Sequence, residues 1–524
     1  MSELVHDLVF HSAHRAPAAQ ALAYGTSQRL DYAALAGAVQ AAAQLLLDAG
    51  IGRGERVAVY LEKRVEAVAA LFGAAAAGAV FVPVNPLLKA EQVAYILRDC
   101  NVRVLLTSPE RLRLLAPVLS SCPDLRTVFV TGAAPVESAD GMAPRSWEDA
   151  AEKEHAPHRV IDTDMAAILY TSGSTGSPKG VVLSHRNLVA GARSVASYLA
   201  VTPQERVLAV LPLSFDYGLS QLTTTFYAGG CVVLINHLFA RDIVKAVAEE
   251  AITGLAAVPP LWMQLAQLAW PASCALRYLT NSGGAMPQAT SAALQTALPQ
   301  AQLFLMYGLT EAFRSTYLAP EELARRPDSI GRAIPNAEVL VVRPDGTLCD
   351  AGEEGELVHR GALVAMGYWN DAARTTERFR PAPGQNPALP AREMAVWSGD
   401  TVRRDADGFL YFVGRSDDMI KVSGYRISPS EIEEVVHASQ LVDEVAAFGV
   451  AHPQLGQAIV LLALARPGVD SAALFKECQR RLPAYMVPAH IALVTTPLAR
   501  NPNGKFDRPS LRLPYLTLFE GQTP

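Results

Sequence analysis

The sequence predicts a large N-terminal α/β domain followed by a small α+β C-terminal lobe. Three observations carry this prediction. Strand-like and helix-like segments alternate up to about residue 330, short strands with turn signals then replace the helices, and the texture changes again after Arg415. The 524 residues exceed one ordinary core and suit about three domains or subdomains. We place the large domain at 1–415, with two mostly parallel α/β sheet subdomains and a β-rich subdomain over about 330–415, and the lobe at 416–524.

The elements follow in order. From Asp31 to Asp48 the apolar positions Leu35, Val39, Ala42 and Leu46 recur at helical spacing, with Asp31 as N-cap and Gly50 just past the end. ERVAVYL then reads as a strand. AVAALFGAAAAGAVFVPV, Ala67 to Val84, could just span a bilayer by length, but it is Ala/Gly-rich, headed by Lys63, Arg64 and Glu66, and contains Pro83. A buried helix running into a buried strand explains it better, so no membrane span is expected. KAEQVAYILRDC continues as a helix and VRVLLTS as a strand; such alternation implies right-handed crossovers and a covered parallel sheet.

Beyond residue 200, ERVLAVLP, CVVLIN, TGLAAVPP, LRYLTNS and AQLFLMY repeat the strand signal between helical stretches such as ARDIVKAVAEEAI. RPDGT, EEGELVHRG and DADGFLYF mark the β-rich part. In the lobe, SPSEIEEVVHAS offers Ser428 as cap, Pro429 at the first helical position and Glu431 as partner of a capping box. EVAAFGV, AIVLLALA and HIALVTT read as its strands, with a helix near FKECQRRL.

Composition excludes several function classes. Half the residues are hydrophobic and 18% charged, as in globular proteins, and the net charge of −6 offers no basic footprint for nucleic acid. The six cysteines lie far apart with no C-x-x-C pair, which points to a reducing cytoplasm and away from structural zinc. MSELVHDLVF has acids and no basic run, so no signal peptide is expected. His11 and His14 stand without a third metal ligand. The sequence is compatible with a monomer or a homodimer.

TSGSTGSPKG, residues 171–180, is dense in glycine and hydroxyl groups that can wrap a phosphate with backbone N–H donors. A P-loop needs a strand before it, a helix after it, and its lysine directly before Ser or Thr. Here AAILYT and GVVLSH both read as strands and Lys179 lies between Pro178 and Gly180, so the loop is the arm of a hairpin.

The stretch YTSGSTGSPKG resembles the phosphate loop of the AMP-forming adenylating enzymes: acyl-CoA synthetases, amino-acid adenylation domains and luciferases. Further motifs follow in the family's order: SGGAMP at 282–287, MYGLTEA at 306–312, GELVHRG at 355–361, SGD at 398–400, GRSDDMIKVSGYRISPSEIE at 414–433 and NPNGK at 501–505. The resemblance covers nearly the whole chain. It implies attack by a carboxylate on the α-phosphate of ATP with Mg²⁺, then acyl transfer to the pantetheine thiol of coenzyme A or of a separate carrier protein.

The site residues carry over by motif. Lys505 is similar to the catalytic lysine that bridges carboxylate and α-phosphate, Thr310 to the residue that bonds the α-phosphate, and Glu311 to the Mg²⁺ ligand. Thr171, Ser172, Gly173, Ser174, Thr175, Gly176 and Lys179 would hold the phosphates. Gly283, Gly284, Ala285, Met306, Tyr307 and Gly308 would frame the adenine, and Asp400, with Phe412 and Arg415, the ribose side. Asp417 falls at the family's hinge, where the mobile lobe rotates to withdraw Lys505 and present residues 421–428; Lys421 and Gly424 would then line the thiol tunnel.

For the acid, Phe215-Asp216 resembles the pair that binds the α-ammonium group in amino-acid adenylation domains, since a carboxylate unpaired in an apolar pocket is costly. Tyr217, Thr280, Ser282, Met306, Arg314 and Ser315 fall where such domains read the side chain. Arg314 has two open assignments, a second substrate carboxylate or Asp216 itself. MYGLTEAFRSTYL is similar to stand-alone prolyl-type carrier-protein ligases, and the whole chain to AMP-forming ligases associated with exosortase gene clusters. An amino acid is the expected substrate. The alternative is an aryl, alkyl or fatty acyl-CoA synthetase. With no carrier domain after Lys505, the thiol is expected from outside.

Overall fold

The computed structural model describes residues 3–25, 28–132, 143–171, 178–271, 273–415, 419–499 and 506–520. Among these the strands form three sheets. An eight-stranded sheet runs from Gly367–Tyr368 through Lys179–Ser184, Met165–Thr171, Val80–Pro83, Arg56–Tyr60, Val102–Thr107 and Thr127–Val130 to Arg145–Ser146. From Met165–Thr171 onward its neighbours are parallel, and only the hairpin end is antiparallel.

The second sheet has 14 strands. Its parallel part contains Gln20–Tyr24, Cys231–Leu234, Arg206–Ala209, Gly254–Ala257, Tyr278–Asn281 and Gln302–Tyr307. Several of these strands are buried on both faces, as helix-covered parallel strands must be. The β-rich stretch is no separate sheet. Thr316–Leu318 and Ser329–Ala333 pair antiparallel beyond Gln302–Tyr307, and Leu410–Arg415, Met394–Arg404, Glu354–Gly361 and Ala337–Val342 continue the ladder. Each added strand satisfies N–H and C=O groups that an edge would leave open.

The helices Tyr32–Asp48, Val65–Ala77, His185–Tyr198 and Asp216–Ala228 contribute to one hydrophobic core shared by both sheets. Asp31 caps the first, accepting from the Ala34 N–H at 2.7 Å, and Gly50 follows it with φ +77°. The alanine-rich stretch is the buried helix Val65–Ala77 leading into the buried strand Val80–Pro83. No described helix is long and apolar enough to cross a membrane.

The five-stranded sheet is built from Tyr425–Ile427, Ile420–Val422, Gly456–Ala465, Val442–His452 and His490–Val494, the last pairing parallel to Gly456–Ala465. Helices Pro429–His437 and Ser471–Arg481 bury Ile432, Val436, Leu474 and Cys478 in its core. The expected capping box at Ser428 is not formed: its hydroxyl is buried and makes no bond to the helix start. Pro429, with φ preset for the first turn, starts the helix instead.

Candidate active site

Of the residues expected at the site, Ser172, Gly173, Ser174, Thr175, Gly176, Asp417 and Lys505 lie outside the described residues. The hairpin that carries the loop is present as expected: Met165–Thr171 and Lys179–Ser184 pair antiparallel, with Thr171 opposite Lys179 at its open end. Strand on both sides is what separates this loop from a P-loop.

Lys179 points into a buried cluster. Its Nζ donates to Glu311 Oε1 at 3.0 Å and to the Tyr368 hydroxyl at 2.7 Å, and sits 4.2 Å from the Tyr368 ring centre. Tyr368 in turn donates to Glu311 Oε1 at 2.6 Å. Burial pushes the Glu311 carboxyl up, but the charges of Lys179 and Arg426 and the two donated hydrogen bonds outweigh it, holding the group well below the usual carboxylate range. Burial pulls the Lys179 ammonium down. Glu311 therefore stays anionic inside the protein, matched by the Lys179 ammonium with the charge of Arg426 beside it. A single buried carboxylate of this kind suits Mg²⁺, which takes one or two carboxylates together with phosphate oxygens.

Glu311 belongs to the short 3₁₀ turn Thr310–Ala312, which follows Gly308. The next residue, Phe313, has φ +57° although it is not glycine, a strained conformation that sites of function tolerate. Across this turn the chain reverses, so that Glu311 faces Lys179 and Arg314 faces Asp216. Thr310 is half-buried on the same turn.

Tyr307 closes the strand Gln302–Tyr307, and its hydroxyl donates to Asp400 Oδ2. Asp400 is buried on Met394–Arg404; its N–H donates to Ser398 Oγ at 3.0 Å and its backbone pairs with Arg415. Gly283, with φ +83°, and Gly284 form the turn after Tyr278–Asn281, where a Cβ on Gly284 would come 3.2 Å from Pro259; Ala285 is exposed. Met306 is buried and accepts the Tyr198 hydroxyl at Sδ. Phe412 is 40% exposed, with Lys421 Nζ 5.8 Å from its ring centre.

The acid side holds the second ion pair. Asp216 opens the helix Asp216–Ala228 and is 5% exposed; Arg314 is 1% exposed. Arg314 Nη1 donates to Asp216 Oδ2 at 3.1 Å and to the Phe313 carbonyl at 2.8 Å, and the guanidinium lies 4.5 Å above the Tyr217 ring. Of the two assignments open for Arg314, the structure has the pair with Asp216. The aspartate is thus not the uncompensated carboxylate from which a cationic substrate was expected. Burial still holds it above the usual carboxylate range, with Arg314 opposing. Tyr217 shares a hydrogen bond of 2.5 Å with Thr280 Oγ1; Ser282 is buried, and buried Ser315 bonds His359 Nδ1 at 3.0 Å.

The small lobe reaches this cleft. Gly424, with φ +85°, packs so closely on the large domain that a Cβ there would lie 2.6 Å from Val258 Cγ1, and its carbonyl faces Gly283. Arg426, two residues on, acts on Glu311 and Lys179 through its charge. Gly424 and Arg426 therefore reach the cleft that holds Glu311 and Lys179.

Tyr368, Arg426 and His359 were not singled out in the sequence. Tyr368 lies on a two-residue strand, where no periodicity can flag it; Arg426 and His359 sit inside the quoted motifs GYRISPSE and GELVHRG, the only signal available.

Comparison with known proteins agrees with this geometry. The AMP-binding enzyme family matches residues 9–369, and its C-terminal domain family matches residues 431–505. The chain is 31% identical, over 97% of its length and 98% of the relative's, to an L-proline--[L-prolyl-carrier protein] ligase of Pseudomonas fluorescens. It is 30% identical over 97% of its length to surfactin synthase subunit 2 of Bacillus subtilis, of which it spans 14%. Among solved structures, o-succinylbenzoate CoA synthetase from Bacillus subtilis superposes with a TM-score of 0.82 at 25% identity, covering 96% of this chain and 97% of that one. The amide bond synthetase McbA from Marinactinospora thermotolerans shares the fold, with a TM-score of 0.84 at 24% identity over 98% and 99% of the two chains. With the hairpin, the buried Glu311 and the lobe loop in place, the chain belongs to the AMP-binding enzyme family and is an AMP-forming acid–thiol ligase.

Proposed function

We propose that the chain activates a small carboxylic acid, an amino acid by preference, in two half-reactions at one cleft. In the first, a carboxylate oxygen of the acid bonds to the α-phosphorus of ATP and the bond to pyrophosphate breaks, giving an acyl-AMP. Two anions meet in this step, so positive groups must be aimed at the developing charge. Lys505 bridges carboxylate and α-phosphate, Thr310 bonds the α-phosphate, and the 171–179 loop with Lys179 holds the remaining phosphates. Glu311 is the magnesium ligand, and the ion supplies charge neutralisation at the phosphates. Asp400 and Tyr307 serve the ribose and adenine.

In the second half-reaction a pantetheine thiolate attacks the acyl carbonyl and AMP leaves. Residues 416–524 form the lobe that turns at Asp417, taking Lys505 away and laying Gly424 and Lys421 along the thiol path. One observation carries the two-step reading: Gly424 seats against Val258 and Gly283 while Glu311 and Lys179 stand ready on the phosphate side. The free cysteines, five of the six buried, suit a cytoplasmic enzyme.

The amino-acid preference is supported by the L-proline--[L-prolyl-carrier protein] ligase among the relatives, which matches nearly the whole chain. A second reading, an aryl or alkyl acid, is favoured by the Arg314 pair that already neutralises Asp216. Acid-dependent exchange of labelled pyrophosphate into ATP, run with amino acids beside simple acids, decides between them. Thiol-dependent AMP release with coenzyme A or with a phosphopantetheinyl carrier protein identifies the acceptor. Exchange with no acid at all would refute the ligase reading for this chain.

A further inference from the structure

We infer that the acid activated here carries a second carboxylate, gripped by Arg314 at the floor of the acid site. The inference rests on the proposed reading of that site and names its substrate class. A guanidinium has a forked edge, formed by Nε–H and the neighbouring Nη2–H, that matches the two oxygens of a carboxylate. In Arg314 that edge is buried and, among the described residues, neither Nε nor Nη2 has a partner, while Nη1 alone serves Asp216 and the Phe313 carbonyl. Asp216 thus compensates the charge without occupying the fork. Buried polar groups are almost always paired, and a charged fork left open inside a protein is the exception that calls for an incoming acceptor.

The surroundings agree. Arg314 lines a cavity of about 10 Å³ with Tyr217, Ser220, Thr224, Thr280 and Met306, and Thr224 Oγ1 is likewise buried with no partner among the described residues. The cavity is lined mainly by apolar surface and has room for about one water-sized group, so an acid whose second carboxylate reaches it is short. The Tyr217 ring holds the guanidinium plane from one face. An α-amino group on the same acid would place its positive charge toward Asp216, and the two substrate charges would then complement the two protein charges.

The test is pyrophosphate exchange by the full chain with matched pairs: aspartate against alanine and 2-aminobutyrate, glutamate against norvaline, succinate against butyrate. The expected result is a kcat/KM at least roughly 100-fold higher for one dicarboxylate than for its monocarboxylate partner, because a site built for a charged fork leaves it unpaired otherwise. Arg314→Lys keeps the charge and loses the fork, and should cut that ratio at least roughly tenfold; Arg314→Gln should abolish it. Should Arg314→Gln fail to fold, the Lys variant alone decides. Monocarboxylates preferred throughout, or a ratio unchanged in Arg314→Lys, would overturn the inference while leaving the ligase reading intact. Absence of exchange with every acid would overturn the ligase reading itself, and this inference with it.

Discussion

Two buried ion pairs flank the turn Thr310–Ala312, and they are built for different tasks. On the phosphate side, Lys179 meets Glu311 at 3.0 Å with Tyr368 bonding both. On the acid side, Arg314 meets Asp216 at 3.1 Å through one nitrogen. The short turn Thr310–Ala312 supplies Glu311, and Arg314 follows directly after Phe313 in its strained conformation. Lysine is a compact charge on a long stem whose proton leaves readily when buried, whereas arginine keeps its charge in any protein. The first pair can open when another cation arrives; the second must stay compensated.

The comparison is tested first by the largest effect. Lys505→Ala should lower acid-dependent pyrophosphate exchange roughly 1,000-fold while leaving thioester formation from supplied acyl-AMP nearly untouched, measured by single-turnover assays of the two steps. Equal losses in both steps would place the charge requirement on the whole cleft rather than on its phosphate end. Asp216→Asn comes next, as it strands a buried arginine. We expect a loss of about 3 kcal/mol in unfolding free energy, read by denaturant titration.

Glu311→Gln strands only a lysine whose pKa burial already lowers, so it should melt less than Asp216→Asn. Its cost falls on adenylation, roughly 100-fold in kcat, with a higher magnesium requirement. If Glu311→Gln were the less stable of the two, the contrast between replaceable and fixed pairs would collapse. Gly424→Val drives a branched side chain into Val258 at a position with φ +85°; thioester formation should fall by roughly some tens of fold, more than exchange does.

The smallest effect concerns pH. Burial holds His185 down at about 4, far below its ordinary 6.5. The unfolded chain therefore binds a proton that the folded chain refuses, and stability falls as pH drops from 6.5 towards 4. At about pH 5.5 this one group accounts for about 1 kcal/mol. His185→Gln should flatten the decline in melting temperature over that window, by an amount differential scanning fluorimetry can resolve. His237 and His359, each held at about 4 by burial, keep part of the slope in that variant.

Local chemistry made much of this legible. The strand–loop–strand reading of 165–184, the Asp31 cap, and the helix-to-strand passage through Ala67–Val84 rest on neighbours within a few residues, and the fold keeps all three. Ordered motifs likewise located Glu311, Asp400 and Tyr307, which lie together with Lys179 or with one another. What sequence hid depends on distant partners. The β-rich stretch joins the parallel sheet because Thr316–Leu318 and Ser329–Ala333 bridge strands far apart in the chain, and no window contains both sides. Tyr368 is unremarkable until Gly367–Tyr368 pairs with Lys179–Ser184 and brings its hydroxyl to Glu311. The Asp216–Arg314 pair, 98 positions apart, is one of two assignments the sequence leaves open, and only the fold brings the two side chains together.

That short pairing has a consequence for colloidal behaviour. Lys179–Ser184 closes one side of the eight-stranded sheet and is rich in valine and leucine, the composition that recruits strands from other molecules. Met366 N–H donates to the Val182 carbonyl and Trp369 N–H to the Gly180 carbonyl, so the rim is stoppered by the chain's own backbone. A substitution that loosened Gly367–Tyr368 would uncover a sticky template, and aggregation on storage would announce it before any loss of turnover.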